Sequence, residues 1–159
     1  MGILDEDILL FWKYMYENDV AYMMVGGFAT NLHGFSRTTA DMDIWIKDSV
    51  DNRKKIQKVL NLLEIGDFES LETTELIPGW TSIVFGDGFE LDIMTSMKSL
   101  PQKRFDECYQ LAPTALINDI PVKFLHLNQL IETKKASARP KDLIDLIELE
   151  KIKKDSEKK

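Results

Sequence analysis

Thr39–Ile46 reads TADMDIWI. Its apolar and aromatic residues suit a buried strand, yet it carries two acids one residue apart. Side chains alternate faces along a strand, so Asp41, Asp43 and Trp45 share one face, and Met42, Ile44 and Ile46 the other. Two carboxylates held on one face repel each other by on the order of 3 kcal/mol at an effective dielectric near 20. A sheet that keeps them needs a cation, or a ligand that brings one.

The neighbouring segments extend the pattern. Upstream, AYMMV (Ala21–Val25) is a short strand, followed by Gly26-Gly27 and then by FATNLH, a short helix closed by Gly34. Glycines let a ligand approach the backbone closely, and a helix start offers unpaired N–H groups to an anion. The loop FSRTTA places Arg37 just before Asp41. It can serve as a phosphate contact, a partner for the acids or a solvated loop residue.

Downstream, Ser49–Leu63 reads as a helix with Val50, Ile56, Val59, Leu60 and Leu63 on its buried side. TSIVFGDGFELDIM (Thr81–Met94) reads as a β-hairpin turning at Asp87-Gly88. In its second strand Glu90, Asp92 and Met94 share a face. Laid beside DMDIWI, that strand brings Asp92 to Asp41 and Asp43. Three carboxylates with open positions between them suit Mg²⁺ completed by substrate phosphates. One such ion, or two, can clamp an in-line phosphoryl or nucleotidyl displacement.

The remaining elements complete an α/β or α+β domain. Ile3–Asn18 is an amphipathic helix and Pro101–Leu111 a short one. ALINDIPVKFL (Ala115–Leu125) is a second hairpin turning at Asn118-Asp119, Asn128–Ala136 is a helix, and Pro140 opens the last one. Leu143, Leu146, Ile147 and Ile152 recur at helical spacing, so that last helix is expected to pack back onto the domain. The predicted architecture is a mixed sheet flanked by helices, with a C-terminal hairpin and helices. The 159 residues form one domain, with a core over about 1–125 and a helical segment over about 126–154.

Composition narrows the function. The net charge of −7 argues against a general nucleic-acid-binding surface. The charge is uneven: residues 1–122 hold 10 Lys/Arg against 20 Asp/Glu, and residues 123–159 hold 10 against 7. No apolar run is long enough to span a membrane. The acidic start MGILDEDILL lacks the basic region of a secretory leader, and the single Cys108 cannot form an internal disulfide. A cytoplasmic location is expected.

Other site types fail on spacing. After Asp41 and Asp43 the next EF-hand ligand position is Trp45, and the required glycine is missing. Gly86-Asp87-Gly88 lacks the third glycine of a dinucleotide fingerprint, since Leu91 stands there. His33 and His126 are far apart and read as helix-end residues.

The motif V-G-G-FATNLHGFSRTTA-D-M-D-I-W-I, with E-L-D-I later, resembles the nucleotidyltransferase superfamily, built on the DNA polymerase beta-type catalytic fold. IETKKASARPKDLIDLIEL resembles the basic C-terminal stretch of small bacterial nucleotidyltransferase-like proteins, among them toxins related to abortive-infection nucleotidyltransferases. The likeness covers most of Met24–Leu149. It implies that Asp41, Asp43 and Asp92 hold the metal ions, with Asp92 also helping to deprotonate the acceptor. It implies that Gly26 and Gly27 cradle the phosphates of a nucleoside triphosphate such as ATP. Lys134, Arg139 and Lys141 become candidates for triphosphate or acceptor contact, with Asp142 and Asp145 orienting them or capping the last helix.

The expected activity is Mg²⁺-dependent transfer of a nucleoside monophosphate to an acceptor hydroxyl on RNA, protein or a small molecule, with release of pyrophosphate. The toxin-like relatives point to tRNA or protein as acceptor. So short a chain leaves room for a partner protein or a second subunit to complete the site. The alternative is a non-catalytic nucleotide-binding or regulatory module of the same fold, as in a toxin–antitoxin pair.

Overall fold

The computed structural model describes residues 6–34, 41–64, 80–85 and 89–158. The Asp87-Gly88 turn and Arg37 lie outside them, and Asp41 is described in its backbone alone.

A four-stranded mixed sheet organises the molecule. β1 (Tyr22–Val25) pairs antiparallel with β2 (Asp41–Ile46), β2 runs parallel to β4 (Phe89–Met94), and β4 pairs antiparallel with β3 (Trp80–Phe85). The order across the sheet is β1-β2-β4-β3. The expected hairpin is the β3–β4 pair. The central β2–β4 pair is parallel and needs a crossover, which α3 (Val50–Leu62) begins.

One face of the sheet carries Tyr22, Met24, Met42, Ile44, Ile46, Leu91 and Ile93, all buried. α1 (Glu6–Glu17) covers it with Ile8, Phe11, Trp12 and Met15, and the Trp12 ring stacks on Tyr22. These side chains sit at helical spacing in α1, so a single face meets the sheet. Buried Asn52 fixes the start of α3 to both strand ends. It accepts from Ala21 N at 2.8 Å and donates to Ala21 O and Lys47 O. Ser49 caps α3 by accepting from Asn52 N. Val50 is exposed rather than buried, because it stands in that capped first turn and points away from the sheet.

The other face carries the acids. Its lower half is covered: Trp45 lies edge-to-face against Phe105, the first residue of α4 (Phe105–Leu111), and donates to Thr95 O. The expected helix over Pro101–Leu111 therefore splits into a 3₁₀ turn (Gln102–Arg104) and α4.

A second hairpin, β5 (Thr114–Ile117) and β6 (Ile120–Lys123), turns at Asn118 and Asp119, both at positive φ, as a tight hairpin turn requires. The chain then runs beside β1, with Phe124 bridging to Met24 and Leu125 N donating to Met24 O at 2.9 Å. That attachment delivers α5 (Leu127–Ser137) to the open half of the acidic face. Ala138, in the left-handed region, reverses the chain into α6 (Pro140–Glu157), which packs on α5. Leu149 of α6 is buried and Leu146 half-buried, whereas Leu143 and Ile147, expected to pack, are exposed. The α6 positions that face α5 at its start are Asp142 and Asp145, both buried. No helix among the described residues is long and apolar enough to cross a membrane.

Candidate functional site

Strand register decides where the acids meet. Asp43 of β2 is the direct partner of Asp92 on parallel β4, and Asp41 is the partner of Glu90. Direct partners on parallel strands point to the same face, and neighbouring strands lie about 4.8 Å apart. Asp43 and Asp92 are therefore adjacent on the open half of the sheet, with Asp41 next along β2. Asp92 Oδ1 is buried and no described group hydrogen-bonds to it. A buried carboxylate oxygen without a partner is costly unless a ligand satisfies it.

Gly26 sits directly against this pair. Val25, the last residue of β1, is the antiparallel partner of Asp43. Gly26 has φ +64°, and a Cβ built on it would overlap Asp43 Oδ2. Only glycine fits both the backbone angle and the space. Gly26 and Gly27 form the first turn of α2 (Gly26–Leu32) rather than a loop before it, and Thr30 Oγ1 donates to Gly26 O. His33 at the end of α2 donates from Nε2 to Leu125 O at 2.8 Å, tying the glycine turn to the chain that leads into α5. Burial lowers the His33 pKa; the bond to Leu125 opposes that, and His126 reinforces it.

A cleft of about 550 Å³ opens over Asp43 and Gly26. Its far wall is the α5–α6 junction, with Thr133, Lys134, Ser137, Arg139 and Asp142, and its floor includes Met94, Ser96, Met97 and Lys98. The basic segment and the acidic strands thus face one cavity, although the residues of the two walls lie far apart in sequence.

The cations differ in state. Lys134 is buried, and its Nζ donates to Asp145 at 2.9 Å and to Asp142 at 3.2 Å. Arg139 is exposed and grips Asp142 through Nε at 2.7 Å and Nη2 at 3.2 Å. Its own N–H donates to Asp142 Oδ2, which caps α6. Asp142 is fully buried. Burial pushes its carboxyl pKa up, but the bonds from Arg139 and Lys134 outweigh that, and the net shift is downward. The Asp142 hydrogen bond raises the Arg139 pKa, and the charges of Asp43 and Asp145 add to it. Arg139 thus feels the acidic strand across the cleft. Lys141 is exposed on the first turn of α6 and is not among the described residues that line the cleft.

Sequence reasoning missed Lys98 and Ser96, which line the cleft just beyond β4. A single lysine and a single serine in a loop carry no periodic signal. Their position six and four residues after Asp92 was the only clue.

Among the described residues no three His, Cys, Asp or Glu side chains form a ready metal cage. Asp43 and Asp92, adjacent and oxygen-only, with one buried oxygen unpartnered, fit a hard cation that keeps open positions for substrate oxygens.

No family model matches the sequence, and neither does any curated protein. Solved structures do. The antibiotic-resistance factor ANT(2'')-Ia in solution matches over 92% of this chain and 80% of its own, at 19% identity and a TM-score of 0.57. Its crystal structure in complex with adenylyl-2''-tobramycin matches over 92% and 90%, at 18% identity and a TM-score of 0.57. An antigenic nucleotidyltransferase-like protein from Paracoccidioides brasiliensis matches over 90% and 74%, at 17% identity and a TM-score of 0.55. The chain has the nucleotidyltransferase fold. In this nucleotidyltransferase fold the cleft lies between the acidic sheet face and the α5–α6 junction, and the glycine turn closes one edge of it.

Proposed function

We propose that the protein is a Mg²⁺-dependent nucleotidyltransferase. The observation that carries this is the register pairing of Asp43 with Asp92, beside a glycine that leaves room for Asp43, in a cleft with a basic far wall. Asp41, Asp43 and Asp92 would hold the metal, which when bound supplies positive charge to the transferring phosphoryl group. The acceptor oxygen bonds to the α-phosphorus, the bond from that phosphorus to the bridging oxygen breaks, and pyrophosphate leaves with the electron pair. The acceptor's proton passes to the carboxylate of Asp92. Gly26 and Gly27 allow the phosphates to approach the backbone, and Arg139 faces the charge that builds on the leaving group.

The acceptor is a hydroxyl. ANT(2'')-Ia, whose fold is alike, is solved with an adenylylated small molecule, and RNA and protein hydroxyls are equally open to this chemistry. The test is incubation with Mg²⁺ and α-labelled nucleoside triphosphates, with total RNA, candidate protein partners and aminoglycosides as acceptors. Label transfer with stoichiometric pyrophosphate, absent in Asp43→Asn, supports the proposal. Magnesium-dependent binding of nucleotide without transfer to any acceptor would instead indicate a non-catalytic binding module.

A further inference from the structure

We propose that Lys98 binds the phosphate groups of the substrate and is, among the described residues, the cation the cleft keeps available for them. The inference rests on the nucleotidyl-transfer reading of this cleft and names a residue for it that the motif does not contain.

The argument starts from charge. The described lining of the cleft includes three cations: Lys98, Lys134 and Arg139. Lys134 lies between Asp142 and Asp145 and is buried with both. Turning its amine toward a ligand would break its ion pairs with both buried carboxylates, which disfavours that movement. Arg139 is exposed, but Nε and Nη2 are both directed at Asp142. Two cations and two carboxylates make this wall neutral as a unit. An entering polyphosphate also meets Asp43, the register partner of Asp92. Lys98 is exposed at the same cleft, and among the described residues no carboxylate stands within ion-pair distance of it.

The second observation is how the backbone beneath it is held. Thr133 Oγ1 of α5 donates to Lys98 O at 2.8 Å. Ser99 lies in the left-handed region at φ +65°, and its carbonyl accepts from Arg104 Nη1 at 3.1 Å. Arg104 is in turn anchored to Glu132 at 2.6 Å. Met97 and Leu100 exchange both backbone hydrogen bonds, at 2.9 and 3.0 Å. The loop is thus pinned to α5 and to the turn before α4, while the lysine amine is left out of this network. A fixed root and a flexible stem with a compact charge suit capture of phosphate oxygens as they arrive.

The discriminating experiment is calorimetric titration of the whole protein with Mg·ATP and, separately, with inorganic tripolyphosphate, at low and high salt. The variants are Lys98→Ala, Lys98→Arg and, as a control of equal charge change, Lys103→Ala, which is exposed and outside the cleft lining. Lys98→Ala should weaken both ligands by about ten-fold, the scale of one charge-assisted contact, and Lys98→Arg should restore most of that. Lys103→Ala should change affinity by less than about two-fold at high salt, since an exposed charge that makes no contact in the cleft is screened there. Melting temperatures should not move. Equal losses in Lys98→Ala and Lys103→Ala, or wild-type affinity in Lys98→Ala, would overturn the assignment while leaving the transferase reading intact. Tripolyphosphate binding that depends on Lys98, with no nucleotide bound by any variant, would keep the phosphate site and remove the transferase reading. A wild-type protein that binds neither ligand would remove both.

Discussion

Gly26 and Asp43 occupy one space. A methyl group at position 26 would overlap Asp43 Oδ2 and stand 3.1 Å from its Cγ, and the backbone there has φ +64°. Replacing Gly26 by alanine therefore imposes two penalties. The left-handed conformation costs a non-glycine residue roughly 1–2 kcal/mol, and the carboxylate must move aside. Gly26→Ala should lower the melting temperature and abolish Mg²⁺-dependent nucleotide binding together. Gly34→Ala is the control: Gly34 also has positive φ, but a Cβ there meets none of the described residues within 4 Å, so it should lose stability alone. Thermal melts with and without Mg·ATP check both.

Asp43 and Asp92 are neighbours of like charge. Asp43→Asn removes their repulsion together with the attraction between Asp43 and Arg139, so the melting temperature in chelator should change little. Mg²⁺ with a nucleoside triphosphate should stabilise the wild type more than either alone, because each supplies ligands for the other. That joint shift should vanish in Asp43→Asn. A variant that still shows the full shift would remove Asp43 from the binding site.

Much of this site could be read in the sequence because strand alternation is local. DMDIWI and FELDIM each reveal which acids share a face. That β2 and β4 run side by side was an assumption of the motif, since a parallel pair needs a crossover that no short-range pattern specifies. The fate of the basic segment was harder still. Lys134, Asp142 and Asp145 look like a helix end and a helix start, and only the left-handed Ala138 folds them onto one another. The last helix misled for a related reason. It carries apolar residues on more than one side, so spacing alone could not say that Leu149 is buried while Leu143 and Ile147 are exposed.

Lys134 is expected to act on stability before it acts on substrate. Lys134→Ala leaves Asp142 and Asp145 buried without that partner. Removing one member of a buried ion pair costs about 3–5 kcal/mol. Urea unfolding should show a loss of that order. Lys134→Ala combined with Asp145→Asn should lose clearly less than the sum of the single changes, because both remove the same ion pair. Additive losses would mean that the two groups do not interact in the folded protein.

Asp142 makes acid stability specific to the α5–α6 junction. Its folded pKa lies below its unfolded value, because the bonds from Arg139 and Lys134 outweigh the effect of burial. A carboxyl of this kind contributes stability that is fully present above the unfolded pKa, near 3.9, and is lost as pH falls through the lower folded value. Glu132, lowered by its bond to Arg104, follows the same course. His33 has a folded pKa below its unfolded value of about 6.5, so its contribution starts to fall at higher pH, as the unfolded chain takes up a proton first. Unfolding free energy should therefore decline in two stages on acidification, one beginning near pH 6.5 and one below about pH 4. Asp142→Asn should lower stability at pH 7 by about 2 kcal/mol or more, since it weakens the partner of both Lys134 and Arg139. It should also flatten the stage below pH 4 and leave the upper stage unchanged. Chemical unfolding of both proteins from pH 3 to pH 8 measures this. An unaltered lower stage in Asp142→Asn would place the acid-sensitive carboxylates elsewhere in the molecule.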